Sequence, residues 1–322
     1  GLAGTFIQST SSPGAGGVAA NFMIGGLNTS TNYEGNIIDN VGIIKVGTGT
    51  QTLNGATLTY TGQTTVSNGI LAFTTTLPAN STIYGMAAPG ILDISTFGTL
   101  NVGTVGAQTI RGNGTLKGSL LLDTLGTAVV GFTNAIGTLT VTNDVTLGGT
   151  TYMELNRTNV GGTNDQIAAQ TITLGRTLTV TNLGPALAVG NTFKLFKATG
   201  ALSGSFSVAN LPATDASGTV YTWTDNTATD GSITVLTATT PVPPVNTNPT
   251  NITTSVSSGQ ITLSWPSSHI GWTLQSQTNA LSVGLKTNWV DVVGSSTTNQ
   301  IVMPIGTTNG AVFFRLFYPV AP

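Results

Sequence analysis

The stretch Gly42-Ile-Ile-Lys-Val-Gly-Thr-Gly-Thr-Gln-Thr-Leu-Asn-Gly-Ala-Thr-Leu-Thr-Tyr-Thr-Gly-Gln-Thr-Thr-Val-Ser-Asn-Gly-Ile-Leu-Ala-Phe73 decides the fold. It holds four short runs in which apolar residues alternate with polar ones, punctuated by Gly47-Thr-Gly49, Asn54-Gly55, Thr61-Gly62 and Asn68-Gly69. A period of two is the signature of a strand. Thr fills most outward positions, and its β-branch favours extended backbone. Asn-Gly suits the two-residue turn of an antiparallel hairpin, so any one of these punctuations is compatible with a meander. Turns recurring every seven or so residues over this length suit the corners of a β-solenoid better. There, each coil contributes a few strands, and successive coils stack in parallel about 4.8 Å apart.

Outward from this stretch the composition is uniform and unusual. Of 322 residues only 6% are charged, with 9 Lys and Arg against 11 Asp and Glu; an ordinary soluble domain has roughly 25%. There are 42 Gly, one His and no Cys. The absence of Cys excludes thiol nucleophiles, disulfides and thiolate metal sites, and His269 alone excludes a multi-histidine centre. No metal or other cofactor is expected. A net charge of -2 with scattered basic residues predicts no nucleic-acid partner. With 39% hydrophobic residues the chain is not of disordered composition. Mean hydropathy is +0.25, yet no apolar run approaches the ~18 residues of a membrane span, so no membrane insertion is expected. No convincing helix is present. The sequence starts at Gly1 without a charged-then-apolar leader and is read as a mature chain, its export signal peptide removed, or as a fragment. An all-β, Thr/Asn/Gly-rich, nearly uncharged chain is expected outside the cell or on its surface.

The quoted stretch resembles the autotransporter-associated β-strand repeat of bacterial surface proteins. That repeat has an apolar-Lys-x-Gly-x-Gly start, here Ile44-Lys45-Val46-Gly47-Thr48-Gly49, and a Leu-x-Gly middle, here Leu53-Asn54-Gly55. Its Tyr-x-Gly-x-Thr-x-Val core is Tyr60-Thr61-Gly62-Gln63-Thr64-Thr65-Val66, and its Gly-x-Leu end is Gly69-Ile70-Leu71. A second stretch, Asp144-Val-Thr-Leu-Gly-Gly-Thr-Thr-Tyr-Met-Glu-Leu155 with Ile172–Val180 and Gly190–Phe196, is similar to the last coils of autotransporter passengers. The resemblance implies a right-handed parallel β-helix for most of residues 1–240. No outer-membrane barrel follows, so self-transport by that route is not expected.

Thr239-Thr-Pro-Val-Pro-Pro-Val-Asn-Thr-Asn-Pro-Thr250 breaks the pattern. Four prolines forbid helix and favour extended chain, a semi-rigid linker. The reading is therefore a β-solenoid over 1–238, a linker over 239–250 and a small antiparallel β-sandwich over 251–322. Six strands are predicted in the last part, at 252–256, 260–265, 272–277, 289–293, 300–303 and 311–318. Ile261, Leu263 and Trp265 share one face, and this apolar-x-Leu-x-Trp strand resembles the second strand of a fibronectin-type-III-like sandwich.

Chemistry is sparse. Glycosidases need two carboxylates about 5–10 Å apart, but only Glu34 and Glu154 are Glu. The Asp residues lie singly, mostly beside Asn or Gly, where corner hydrogen bonding to their own backbone is the simpler role. Asp93, Asp123, Asp144 and Glu154 would have to meet in one groove for a polysaccharide-degrading β-helix enzyme. Lys45, Arg111, Lys117, Arg157, Arg176, Lys194 and Lys197 are dispersed. Asp225-Asn-Thr-Ala-Thr-Asp230-Gly231 lacks the ligand pattern of a calcium loop and reads as a turn. His269 reads as a surface-loop residue. Asn28, Asn80, Asn113, Asn156 and Asn251 head Asn-x-Ser/Thr triplets, which a chain rich in Asn and Thr carries by chance.

What the architecture predicts is assembly. A solenoid of about twelve coils would be a rod some 55–60 Å long whose bare ends expose unpaired backbone, with little charge to keep copies apart. The terminal strand around Phe313–Tyr318 is apolar on both faces. The expected partners are copies of the chain itself, joined into a filament or matrix fibre through Leu2, Phe6, Phe313, Phe314, Phe317 and Tyr318. The alternative is an adhesin whose Trp223, Trp272 or Trp289 stacks on surface glycans.

Overall fold

The computed structural model describes residues 4–8, 20–160, 162–241, 245–306 and 310–318, which divide into two compact units, Gly1–Thr240 and Pro241–Pro322. Among the described residues helix is confined to two three-residue 3-10 turns, Ser267–His269 and Ser295–Thr297. Nearly all other regular structure is strand, as the alternation requires.

The first unit is a parallel β-solenoid with three faces. Face A is a nine-stranded sheet from Ala20–Ile24 to Val208–Asn210, face B an eight-stranded sheet from Thr31–Tyr33 to Phe196–Ala198, and face C a five-stranded sheet from Thr99–Val102 to Leu202–Gly204. Every pairing within these faces is parallel and in register, so like positions of successive coils stack. On face B, Leu71, Leu92, Leu116 and Val141 follow one another inward. On face C the inward column is Leu100, Leu120, Val145 and Ile172. On face A it runs Ile43, Thr64, Tyr84, Ile110, Ala128, Thr151 and Leu178. These columns form one continuous apolar core. Burial of that core is the driving force, at roughly 25 cal/mol per Å² of apolar surface.

Most polar residues that face inward are satisfied; the Thr151 hydroxyl, buried in the face A column, has no partner among the described residues. The Thr64 hydroxyl lies 2.8 Å from the Tyr60 hydroxyl and 3.0 Å from Ser81 Oγ. Gln108 donates to the carbonyls of Ala79 and Ser81 and accepts from Gly103 N. A buried polar network is stable only when closed in this way.

The expected twelve coils are not reached. Coil length grows along the chain: Ile43, Thr64 and Tyr84 are 21 and 20 residues apart, whereas Thr150, Thr177 and Val208 are 27 and 31 apart. Nine parallel strands span about 38 Å. The rest of the unit departs from the solenoid pattern. Thr192–Lys194, Ser232–Thr239 and Val220–Asn226 form an antiparallel sheet, and its Phe193, Tyr221, Ile233 and Val235 continue the same core. The expectation of bare ends is modified for the core alone: this sheet continues the core at the C-terminal end, while Leu202–Gly204 and Val208–Asn210 remain edge strands there. The Asp225–Gly231 segment is a turn whose carboxylates bond backbone, Asp225 accepting from Thr227 N and Asp230 from Ser232 N and Oγ.

The second unit contains two three-stranded antiparallel sheets, with strand orders Thr253–Ser257, Gln260–Ser264, Gln300–Pro304 and Val290–Asp291, Thr273–Asn279, Ala311–Phe317. They enclose a small core of Leu263, Trp265 and Leu274, against which Ile252, Ile261, Val292, Ile301, Met303, Phe314 and Leu316 pack. Ile261, Leu263 and Trp265 share the inward face, as their alternation predicts. His269 departs from its reading as a surface residue. The 3-10 turn tucks its ring in, 3% exposed, between the Asn248 carbonyl at 2.8 Å from Nε2 and the Trp272 ring at 5.3 Å.

Candidate interaction surfaces

A parallel solenoid leaves edge strands at its first coil unless something covers them. Here the edges of the described chain at this end are Phe6–Ile7, Ala20–Ile24 and Thr31–Tyr33, each paired on one side only, as Phe196–Ala198, Leu202–Gly204 and Val208–Asn210 are at the other end. Ala20–Ile24 carries apolar side chains on both faces. Met23 is 70% exposed, Phe22 is exposed beside it, and the following turn places Leu27 at 86% exposure. Phe6 is 58% exposed on the short third edge. Of the residues singled out for assembly, Phe6 thus sits on this open coil, and Leu2 lies outside the described residues. Phe22 and Met23 were missed, although Ala20-Asn-Phe-Met-Ile24 announces them as adjacent apolar residues in a strand whose inner face needs only one of them.

In the second unit, Ala311–Phe317 is an edge strand, paired only with Thr273–Asn279 among the described strands. Phe314 and Leu316 turn into the core. Phe313, Arg315 and Phe317 share the opposite face, where Phe317 is 42% exposed and Phe313 half-buried. Arg315 is held there by stacking, its guanidinium 4.3 Å from the Trp289 ring centre and 5.7 Å from that of Phe317. Tyr318 packs on Trp272 at 5.4 Å.

The tryptophans offer no shared platform. Trp272 is enclosed, with its indole N–H donated to the Asn246 carbonyl. Trp223 is half-buried, bonds the Pro212 carbonyl and packs 6.4 Å from Phe193. Trp289 carries Arg315 on its ring.

Nor do the acids converge. Asp93 lies on face B, paired at 2.8 Å with Lys117. Asp144 lies on face C and accepts from Thr171 Oγ1. Asp123 accepts from Thr124 N. Glu154, on face A, holds Asn134 N and Ala135 N at 2.9 and 3.0 Å. Asp165, which beside Asn164 reads from sequence only as a corner residue, is fully buried and accepts from Gly137 N and Glu154 N, both at 2.8 Å. Burial, aided by the nearby Glu154 charge, pushes its carboxyl up to about 7 against those two hydrogen bonds. Both carboxylates of this pair are spent on backbone N–H groups of the 131–137 turn and its neighbour. They are fasteners of the chain rather than acids facing a groove. Among the described residues no group of His, Asp or Glu is arranged to hold a metal ion, and no helix is long and apolar enough to cross a membrane.

Residues 43–73 match the family model described as Passenger-associated-transport-repeat. Those residues span two successive passes through faces A and B, from Ile43 to Phe73, inside the parallel solenoid. The first unit is accordingly an autotransporter-passenger-like β-helix, and the repeat implies a secreted or surface protein. Among curated proteins, none matches the chain.

Proposed function

We propose that the protein is an extracellular structural protein that associates with copies of itself, and that it is not an enzyme. The observation that carries this reading is the first coil: its edge strands and the turn after them leave Phe6, Phe22, Met23 and Leu27 exposed, while at the other end the core continues into the chain's own antiparallel sheet. Unpaired edges with apolar side chains template pairing with another chain. The second edge, Ala311–Phe317, is a different patch near the other chain terminus. A contact between two different patches is heterologous, and where its rotation does not close, repeating it yields an open helical polymer, a filament or matrix fibre. The low charge of the chain leaves little repulsion to oppose it. A glycan-stacking adhesin built on Trp223, Trp272 and Trp289 draws less support, because those rings are occupied by the protein's own groups.

Sedimentation and electron microscopy over a rising concentration series test the reading. The expected result is oligomers or fibres that Met23→Lys and Val312→Lys each suppress while far-UV circular dichroism stays unchanged. A chain that stays monomeric at every concentration overturns it.

A further inference from the structure

Two outward lysines of face B stand in the same register relation to the strand before them, and only one of them meets an acid. Asp93 and Lys117 are register partners on adjacent strands, and the Lys117 ammonium meets the Asp93 carboxylate at 2.8 Å. Further along the same face, Ala168 and Lys197 are register partners on adjacent strands. There the position facing the lysine holds a methyl group. No hydrogen bond or ion pair engages the Lys197 ammonium among the described residues, and its side chain is exposed.

The missing side chain leaves a hollow. Thr140 is the register partner of Ala168 on the other side, and Thr138 is that of Gln166. Ala168 is thus the floor, Thr140 and Lys197 are the two walls, and Gln166 and Gln170 stand at either end of the floor strand. The depression has a volume of about 490 Å³, and no acidic side chain lines it. Wall to wall it is two strand spacings, about 10 Å. The Thr138 and Thr140 hydroxyls have no partner within the described chain, so donors and acceptors face outward around a fixed positive charge.

We infer that this hollow binds a carboxylated sugar residue of an acidic glycan. Its carboxylate takes the place over Ala168 that Asp93 occupies opposite Lys117, and the hydroxyls of the sugar ring meet the threonine and glutamine rim. A neutral glycan would leave the ammonium without its counter-charge, and a simple anion would leave the rim unused. The site is separate from the edge strands proposed for assembly and does not depend on them.

Titration of the full chain with oligogalacturonate, and with the same oligomer methyl-esterified, tests the assignment by calorimetry. Binding of the acid form, weakened by salt and by esterification, supports it. Lys197→Gln is expected to raise Kd about tenfold or more. Ala168→Asp supplies the missing carboxylate from within, and it is expected to abolish binding while far-UV circular dichroism and thermal stability stay unchanged. Absence of binding by the acid form overturns the assignment. So does equal binding of the ester, or a Kd that neither variant alters.

Discussion

The Lys45 ammonium donates to the carbonyl of Asn68, 23 residues further along the chain, as well as to those of Val46 and Gly47 beside it. Lys45 points inward on face A, continuing the column of Val66 and Met86. It is fully buried, and loss of hydration lowers its pKa from the ordinary lysine value. A side chain on Gly69 would press on this ammonium, its Cβ only 2.8 Å from Nζ, and Gly69 has φ +65°. The Lys-x-Gly start of the repeat and its later Asn-Gly corner are thus two halves of one junction between successive coils.

Lys45→Met keeps the length and apolar stem of the side chain but leaves three carbonyls without their donor. Hydrogen bonds to a charged group each contribute about 1.5–3 kcal/mol. We expect the variant to lose about 3 kcal/mol, read as a lower urea midpoint by far-UV circular dichroism. An unchanged midpoint would mean that water replaces the ammonium at no cost.

Leu116 lies at the middle of the inward column of face B, fully buried between Leu92 and Val141. Its neighbours are held by strands on both sides and have little freedom to collapse. Leu116→Ala is expected to cost about 3–5 kcal/mol, whereas Thr127→Val, outward on face A, should stay within about 0.5 kcal/mol. Equilibrium unfolding of the two variants compares them directly.

Asp165 gives stability a distinctive pH dependence. Its folded pKa of about 7 lies above the ordinary value of 3.8, so between those limits the folded state binds more protons than the unfolded one. The contribution is then fully present below about pH 4 and disappears as pH rises through 7. Thermal melting from pH 4.5 to 8 should show the wild type losing stability toward the alkaline end by this amount. Asp165→Asn should be less stable throughout and lack that component of the slope. Parallel slopes for the two proteins would assign the group an unshifted pKa.

The Trp265 indole N–H is buried and has no hydrogen-bond partner among the described residues. Trp265→Phe removes an unsatisfied donor along with part of a ring, so its cost should be smaller than that of Leu263→Ala, about 2–5 kcal/mol, in the same small core. Amide exchange over residues 260–304 reports the stability of this unit. A cost for Trp265→Phe equal to or above that of Leu263→Ala would reveal a partner for the indole.

Local chemistry made much of this protein legible in its sequence. Alternation in Thr138–Val141, with Gly and Asn at corners, defines strand and turn because side-chain direction has a period of two whatever the tertiary context. The six strands of the second unit were readable for the same reason, as was the inward face of Ile261, Leu263 and Trp265. Coil length was not, because a corner tolerates insertions that leave the strands in register, and so the growth from 20 to 31 residues is silent in the pattern. The continuation of the core at one solenoid end, the burial of His269 and the clasp of Glu154 and Asp165 on the 131–137 turn depend on which distant segments meet. The gap opposite Lys197 is likewise a matter of register: Ala168 and Lys197 are 29 residues apart, and only the stacking of coils sets one against the other.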